Sequence, residues 1–435
     1  MKTLTLILIL GLAGQAAAGY KEVEAATKRP EGSEGKDMDA LLQLPGAALA
    51  KDARAAAFLA KDQPAMELFR QAVEEPNDGY LLAPKVEKLS AKTPVPQFWP
   101  QVKMTRLMIM EARLKMALKQ PGQAEKDLLA VAGLMAQFSG QKSAATITSL
   151  VDQLCLMKAD RAFHESLRNR SVSPAYLKEL AARLEKVAKN QDSMKASMTE
   201  EAEKLKGAIR EGITPETMGA ELAKKPLLTR LAVKKLADQE FFDGIYAQFD
   251  AAIDEYTALI VKSFRANDPG PVAPFLEKRS KELAARKEAR DKHNFLSDLA
   301  DGLTGGRKTK KKMGEAMVDT MLEAATPSYE KLIPRYHLFS CELGVLRAAA
   351  AVKLYQRAKR RLPDSLDQLV PAFLPAVPQD PFNKFAPLAY VKTGKKFLIY
   401  GFGPNGKDDG GASALDYEAY FENAAKDAGD IVFRD

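Results

Sequence analysis

The chain is poor in the residues that usually announce a chemistry. Its 435 residues hold two cysteines, Cys155 and Cys341, and no C-x-x-C pair, so a cysteine-ligated zinc site has no framework. Histidine is as sparse: His164, His293 and His337 are the full set, and none belongs to an H-E-x-x-H zinc helix. There is no G-x-S-x-G elbow, no phosphate-cradling P-loop and no S-x-x-K nucleophile set. Beyond the N-terminus, no stretch approaches the roughly 20 apolar residues that span a bilayer.

What is present begins with the first residues. Lys2, the apolar run Leu4 to Leu12 and the small residues Ala16 to Ala18 follow the order of a secretory signal peptide, with cleavage expected after Ala18. No cysteine follows that run to accept a lipid. The mature protein is therefore expected to be exported, to the periplasm or beyond the cell. In an oxidising compartment Cys155 and Cys341 could pair, and their apolar neighbours equally suit two buried free thiols. The formal charge is +8, of which residues 1–18 contribute only Lys2. A mild, distributed positive balance suits an anionic envelope surface and does not call for nucleic acid. Hydrophobic content of 46% and charged content of 28% are ordinary for a folded protein.

After a polar leader at 19–36, apolar residues recur at helical steps. Leu107, Met110, Leu114 and Ala117 share one face of a helix expected at 102–119. Pro121-Gly122 breaks it and opens the next, at 122–138, and a third is expected at 144–168. Short turns between helices read as antiparallel hairpins. Two charge-rich helices are expected within 174–210. A strongly amphipathic one covers 239–265, with Phe242, Ile245, Phe249, Ile253, Tyr256 and Ile260 in one stripe. A charged helix at 273–298 leads to a basic loop, Arg307 to Lys312, which is able to meet an anionic surface, and another helix begins near 313. The methionines of 104–116 read as helical core. From Pro327 to about Arg361 the pattern is helical again. Beyond it the chain turns proline-rich, with strands at 388–392 and 396–400 around Thr393-Gly394-Lys395.

The possible chemical groups are few. Gly401 to Gly406 spells G-x-G-x-x-G, but Pro404 and the following polar run forbid the helix that a dinucleotide site needs. His337 and Cys341 stand four apart beside Glu342, a spacing that fits a helix core as readily as a thiol with its base. The 57 acidic residues would furnish a carboxylate-dependent hydrolase with many pairs, none singled out. Asn405, Asp408 and Asp409 crowd a glycine-rich turn, and Asp430 returns near the C-terminus. Such oxygen donors suit Ca²⁺; the spacing is not that of an EF-hand and equally describes a polar turn without an ion.

The order Leu366 to Pro381, Tyr390, Phe397 to Gly406, Gly410-Gly411 and Gly429-Asp430-Ile431 resembles the C-terminal domain of the major pseudopilin of type II secretion, over about residues 345–435. In that family the glycine-rich turn and the acidic residues after it bind calcium. By position the resemblance implies Ca²⁺ at Asn405, Asp408, Asp409 and Asp430, with an insertion between Gly411 and Gly429 that includes Asp416 and Glu418. The helix before Pro363 carries Arg347, Lys353, Arg357, Lys359 and Arg360, which suits no filament core, and the N-terminus is not that of a pilin. The helical remainder resembles exported bacterial proteins that carry such a tail.

The expected fold is mainly α, built of antiparallel helical hairpins, with a small C-terminal α+β pseudopilin-like domain. The expected organisation is a signal peptide at 1–18, a leader at 19–36, a helical region at 37–326, and a linking helix plus β-containing domain at 327–435. The expected function is that of a non-catalytic envelope protein with protein partners. The alternatives are an accessory component of a type II secretion or pilus-like system and a secreted carboxylate-dependent hydrolase.

Overall fold

The computed structural model describes residues 26–27, 33–74, 99–139, 145–214, 216–217, 238–266, 307–325, 329–412 and 429–435, with scattered helical positions between 277 and 288. The expected signal peptide, most of the expected leader, much of the helix expected at 273–298 and the 413–428 segment with Asp416 and Glu418 lie outside the described residues. The fold is mostly helical, with small antiparallel sheets at the C-terminal end. Its helices are α1 (Glu34–Gln43), α2 (Gly46–Leu49), α3 (Ala53–Glu74), α4 (Trp99–Ala117) and α5 (Pro121–Ser139). There follow α6 (Ala145–Arg168), α7 (Pro174–Gly212), α8 (Gln239–Ala266), α9 (Arg307–Ala325) and α10 (Tyr329–Lys359). The strands are β1 (Gln379–Asp380), β2 (Ala386–Pro387), β3 (Ala389–Thr393), β4 (Lys396–Gly401) and β5 (Ile431–Arg434). Among the described residues no helix is long and apolar enough to cross a membrane.

Two expectations are corrected. Residues 174–210 form part of one helix, α7, not two. The basic run Arg307–Lys312 is not a loop but the opening of α9. Lysine and arginine are good helix formers, and Lys310 reaches Asp238 at 2.8 Å, so the run has both propensity and a partner for helix.

The chain divides into two compact units. In the smaller, residues 195–333, the stripe Phe242, Ile245, Phe249 and Ile253 of α8 packs with Ala202 and Ile209 of α7 and with Val318, Met321 and Leu322 of α9. Asp238 caps α8 by accepting the Phe241 N–H at 2.9 Å.

The larger unit takes in the described residues up to 194 and those from 334 onward. Its helices pair as hairpins. At the end of α4, Lys119 adopts φ 59°, Gln120 N–H donates to Lys115 O at 2.9 Å and Lys119 N–H to Met116 O at 3.1 Å. This doubly bonded C-terminal turn, followed by Pro121 at the first position of α5, reverses the chain within a few residues. Ser173 caps α7 through Tyr176 N–H at 3.0 Å, while its own hydroxyl donates to Glu125 at 2.8 Å. Met104, Met108 and Met110 are fully buried in the core. That core is continuous from Met38 on α1 to Phe433 on β5, so the C-terminal strands share it with α4, α5 and α6. Cys155 and Cys341 are free thiols, both buried within it.

Between α3, α4 and α5, Arg70 donates to Asp127 at 2.9 Å and to Glu111 at 2.5 Å. Burial, aided by the Glu111 carboxylate, pushes Asp127 up to about 7 against the pull of Arg70. Between the ordinary carboxylate range near ~4 and that value, the native state keeps a proton that the unfolded chain has released. Stability is therefore expected to fall as pH rises through this window, by up to about 1.4 kcal/mol per pH unit, and to level off above it. Asp127→Asn should flatten that slope. Thermal midpoints of both proteins at several pH values between 4 and 8 check this, and parallel curves would exclude Asp127 as the source.

The C-terminal strands form a meander, β3-β4-β5, antiparallel throughout, beside the two-residue pair β1-β2. In β4, Ile399 and in β5, Phe433 point into the core from paired positions. Gly401 ends β4 where a side chain would lie 2.4 Å from Cys341 Sγ, so its lack of one lets the strand approach α10.

Candidate functional site

The glycine-rich turn after β4 gathers the four residues expected to bind an ion. Gly403 sits at φ +69°, and a Cβ there would come within 2.3 Å of Gly429 O; glycine thus lets the returning C-terminal segment cross the turn. That crossing buries Asp430 completely. Its carboxylate accepts the Gly411 N–H at 2.6 Å and the Asp409 N–H at 3.4 Å. Burial raises the Asp430 pKa above its usual range, with these two N–H groups opposing the rise. Asn405 donates its amide to Asp409 Oδ2 at 3.0 Å and accepts the Lys407 N–H at 3.0 Å. Asp408 is exposed and accepts the Gly410 N–H at 2.9 Å. Arg434 closes the far side by donating to Ala412 O at 2.9 Å and to Gly411 O. Asp430 thus braces the turn from beneath, while Asn405, Asp408 and Asp409 form its outer rim.

Asp380, also buried, performs a related task at the start of the β-containing segment. Its carboxylate accepts the Phe382 and Phe402 N–H groups, each at 2.8 Å, tying β1 to the exit of β4. Cys341 Sγ lies 3.8 Å from it. Burial, then the Asp380 and Glu342 carboxylates, holds the Cys341 thiol well above its ordinary pKa. Burial of this kind disfavours the thiolate, the form in which cysteine acts as a nucleophile. The helix-face group of His337, Cys341 and Glu342 is also divided in space, because Glu342 turns to a different histidine.

That histidine, His164, belongs to a cluster the sequence did not suggest. Asp160 and His164 stand four apart on α6, and Glu342 faces them from α10. His164 Nε2 lies 2.9 Å from Glu342 Oε1 and 3.2 Å from Asp160 Oδ1. His164 and Glu342 are buried, and Asp160 keeps 19% of its side chain exposed. Burial and the Glu342 carboxylate push Asp160 well above the usual carboxylate range. The Phe433 ring meets the imidazole edge-on at 5.2 Å, and Arg168 covers that ring at 5.6 Å. The only trace in sequence is an Asp-x-x-x-His spacing on a helix. Its third member is 178 positions away.

A groove of about 670 Å³ opens between α3, α5 and α7, lined by Glu67, Arg70, Glu74, Lys126, Glu179 and Arg183 among others. Its acids are matched to its cations. Glu67 pairs with Arg70 at 3.1 Å, and Glu74 and Glu179 pair with Arg183 at 3.0 and 2.7 Å. The convergent, uncompensated carboxylates of an acid–base site are not what these groups form.

The class that fold and sites define is a mainly helical protein with a small C-terminal antiparallel sheet whose glycine turn is braced by a buried aspartate. No family model, curated protein or solved structure matches the chain.

Proposed function

We propose that this protein is a non-catalytic component of the cell envelope, exported by its N-terminal segment, that works by binding other envelope proteins. The C-terminal segment serves as a pseudopilin-like docking module, and Ca²⁺ steadies its exposed turn. The observation that carries the reading is the buried Asp430 carboxylate, which gathers the turn's N–H groups and leaves Asn405, Asp408 and Asp409 on the rim. These rim donors are all oxygen, the chemistry that Ca²⁺ selects. Asp430, with both oxygens engaged by backbone N–H groups, organises the turn that would hold the ion. Machinery of type II secretion is the partner class to which the tail's resemblance points.

In the full chain, Ca²⁺ at a hundredfold excess over its Kd should raise unfolding stability by about 2.7 kcal/mol, and EDTA should reverse the gain. Asp408→Ala should abolish the response and lower the calcium-free melting temperature by only a small amount, since its side chain is exposed and its turn hydrogen bond is to the Gly410 N–H. Melting curves identical in EDTA and in Ca²⁺ would remove the ion from the proposal. Affinity capture from envelope extracts, with and without Ca²⁺, tests the docking role. Recovery of no secretion or pilus component in either condition would count against that partner class.

A further inference from the structure

We propose that Asp160, His164 and Glu342 form a binding site for a divalent first-row transition ion of the Zn²⁺ type, a site separate from the glycine-rich turn. Three observations carry it. First, two carboxylate oxygens converge on one imidazole nitrogen, at 2.9 and 3.2 Å from Nε2. A nitrogen bears at most one hydrogen, so it cannot satisfy both oxygens; a cation between the three groups would. Second, Asp160 Oδ1 is fully buried and accepts no hydrogen bond, and the side-chain hydrogen bond that Asp160 does make runs to Glu342, the third member of the group. A buried carboxylate oxygen left in that state faces the other two donors. Third, the spacing approaches that of a coordination shell. Bonds of about 2.0–2.1 Å in tetrahedral array set ligand atoms about 3.3 Å apart. Both carboxylates already approach the imidazole nitrogen at that spacing, and all three donors lie within 4.8 Å of one another, so drawing the two carboxylates together would admit the ion.

The donor set decides which ion. One imidazole nitrogen with two carboxylate oxygens suits Zn²⁺ and disfavours Ca²⁺ and Mg²⁺, which take oxygen shells. Three protein ligands leave a fourth position for water. Because Glu342 lies 178 positions from His164, the ion would clip α10 to α6 across a long stretch of chain. Both helices and the Phe433 ring over the imidazole belong to the larger unit.

The test uses the full chain after dialysis against EDTA, titrated with Zn²⁺ alone by calorimetry and followed by thermal melting. Expected are one ion per chain, a raised melting temperature and reversal by EDTA. Asp160→Asn keeps the shape of the site and replaces an acid whose charged form burial already disfavours, so it should fold at least as well without metal. Its Zn²⁺ affinity should drop by at least about tenfold, the scale on which even supporting groups of a metal site act. Glu342→Gln should lose affinity likewise, and Asp408→Ala should retain it, separating this site from the turn. Co²⁺ in the wild type should give the visible bands of a four- or five-coordinate ion, a readout independent of any variant. A wild-type melting temperature unmoved by Zn²⁺, or wild-type affinity in both Asp160→Asn and Glu342→Gln, would overturn the proposal.

Discussion

Replacing Lys103 with methionine is expected to destabilise the protein by about 3–5 kcal/mol, the cost of leaving one member of a buried ion pair behind. Lys103 on α4 and Asp62 on α3 are 0% and 2% exposed, and the ammonium lies 3.0 and 2.9 Å from the two carboxylate oxygens. Their attraction offsets the cost of taking both from water. Removing the cation withdraws the attraction and keeps the cost for Asp62. The double variant Asp62→Leu/Lys103→Met should recover most of the loss, because buried pairs exchanged for apolar groups of similar size are often neutral. Urea unfolding of the two single variants and the double measures this as a cycle. A Lys103→Met loss below about 1 kcal/mol would mean that water reaches the pair.

Phe433→Ala should be comparably damaging, about 3–5 kcal/mol, because a fully buried ring is removed and little can collapse into its place. The ring stacks on Phe397 at 5.5 Å and meets His164 edge-on. It also carries the inward side of β5, which among the described residues is bonded to the rest of the sheet through β4 alone. Loss of the ring therefore loosens the strand that delivers Asp430 beneath the glycine turn. Val432→Ala, half-buried on the opposite face of the same strand, serves as the control and should cost under about 1.5 kcal/mol. Equal losses at the two positions would show that β5 is held by its backbone and not by this ring.

Much of the helical architecture was legible. The stripe of α8 from Phe242 to Ile253 is buried as its spacing requires, since a helix repeating every 3.6 residues puts those positions on one side. Pro121 announced the α4–α5 reversal because it suits the first position of a helix better than its interior. The β3–β4 hairpin followed from its turn, where Gly394 sits at φ +62°. Less was legible where local cues were thin. Four residues of β5 are too few for alternation to stand out. The basic start of α9 read as a solvated loop because the partner of Lys310, Asp238, is remote in sequence.

Local order, then, was written in the chain: helices from periodicity and caps, a hairpin from its glycine, and a turn crowded with oxygens from composition. Those features depend on residues within a few positions of one another. Tertiary structure alone decided which side chains meet across long separations. It joined the C-terminal strands to the core of α4, α5 and α6, seated Asp430 beneath the turn and brought Glu342 to His164. Such meetings are set by the packing of whole elements, and one helix face offers no sign of which distant residue will cover it.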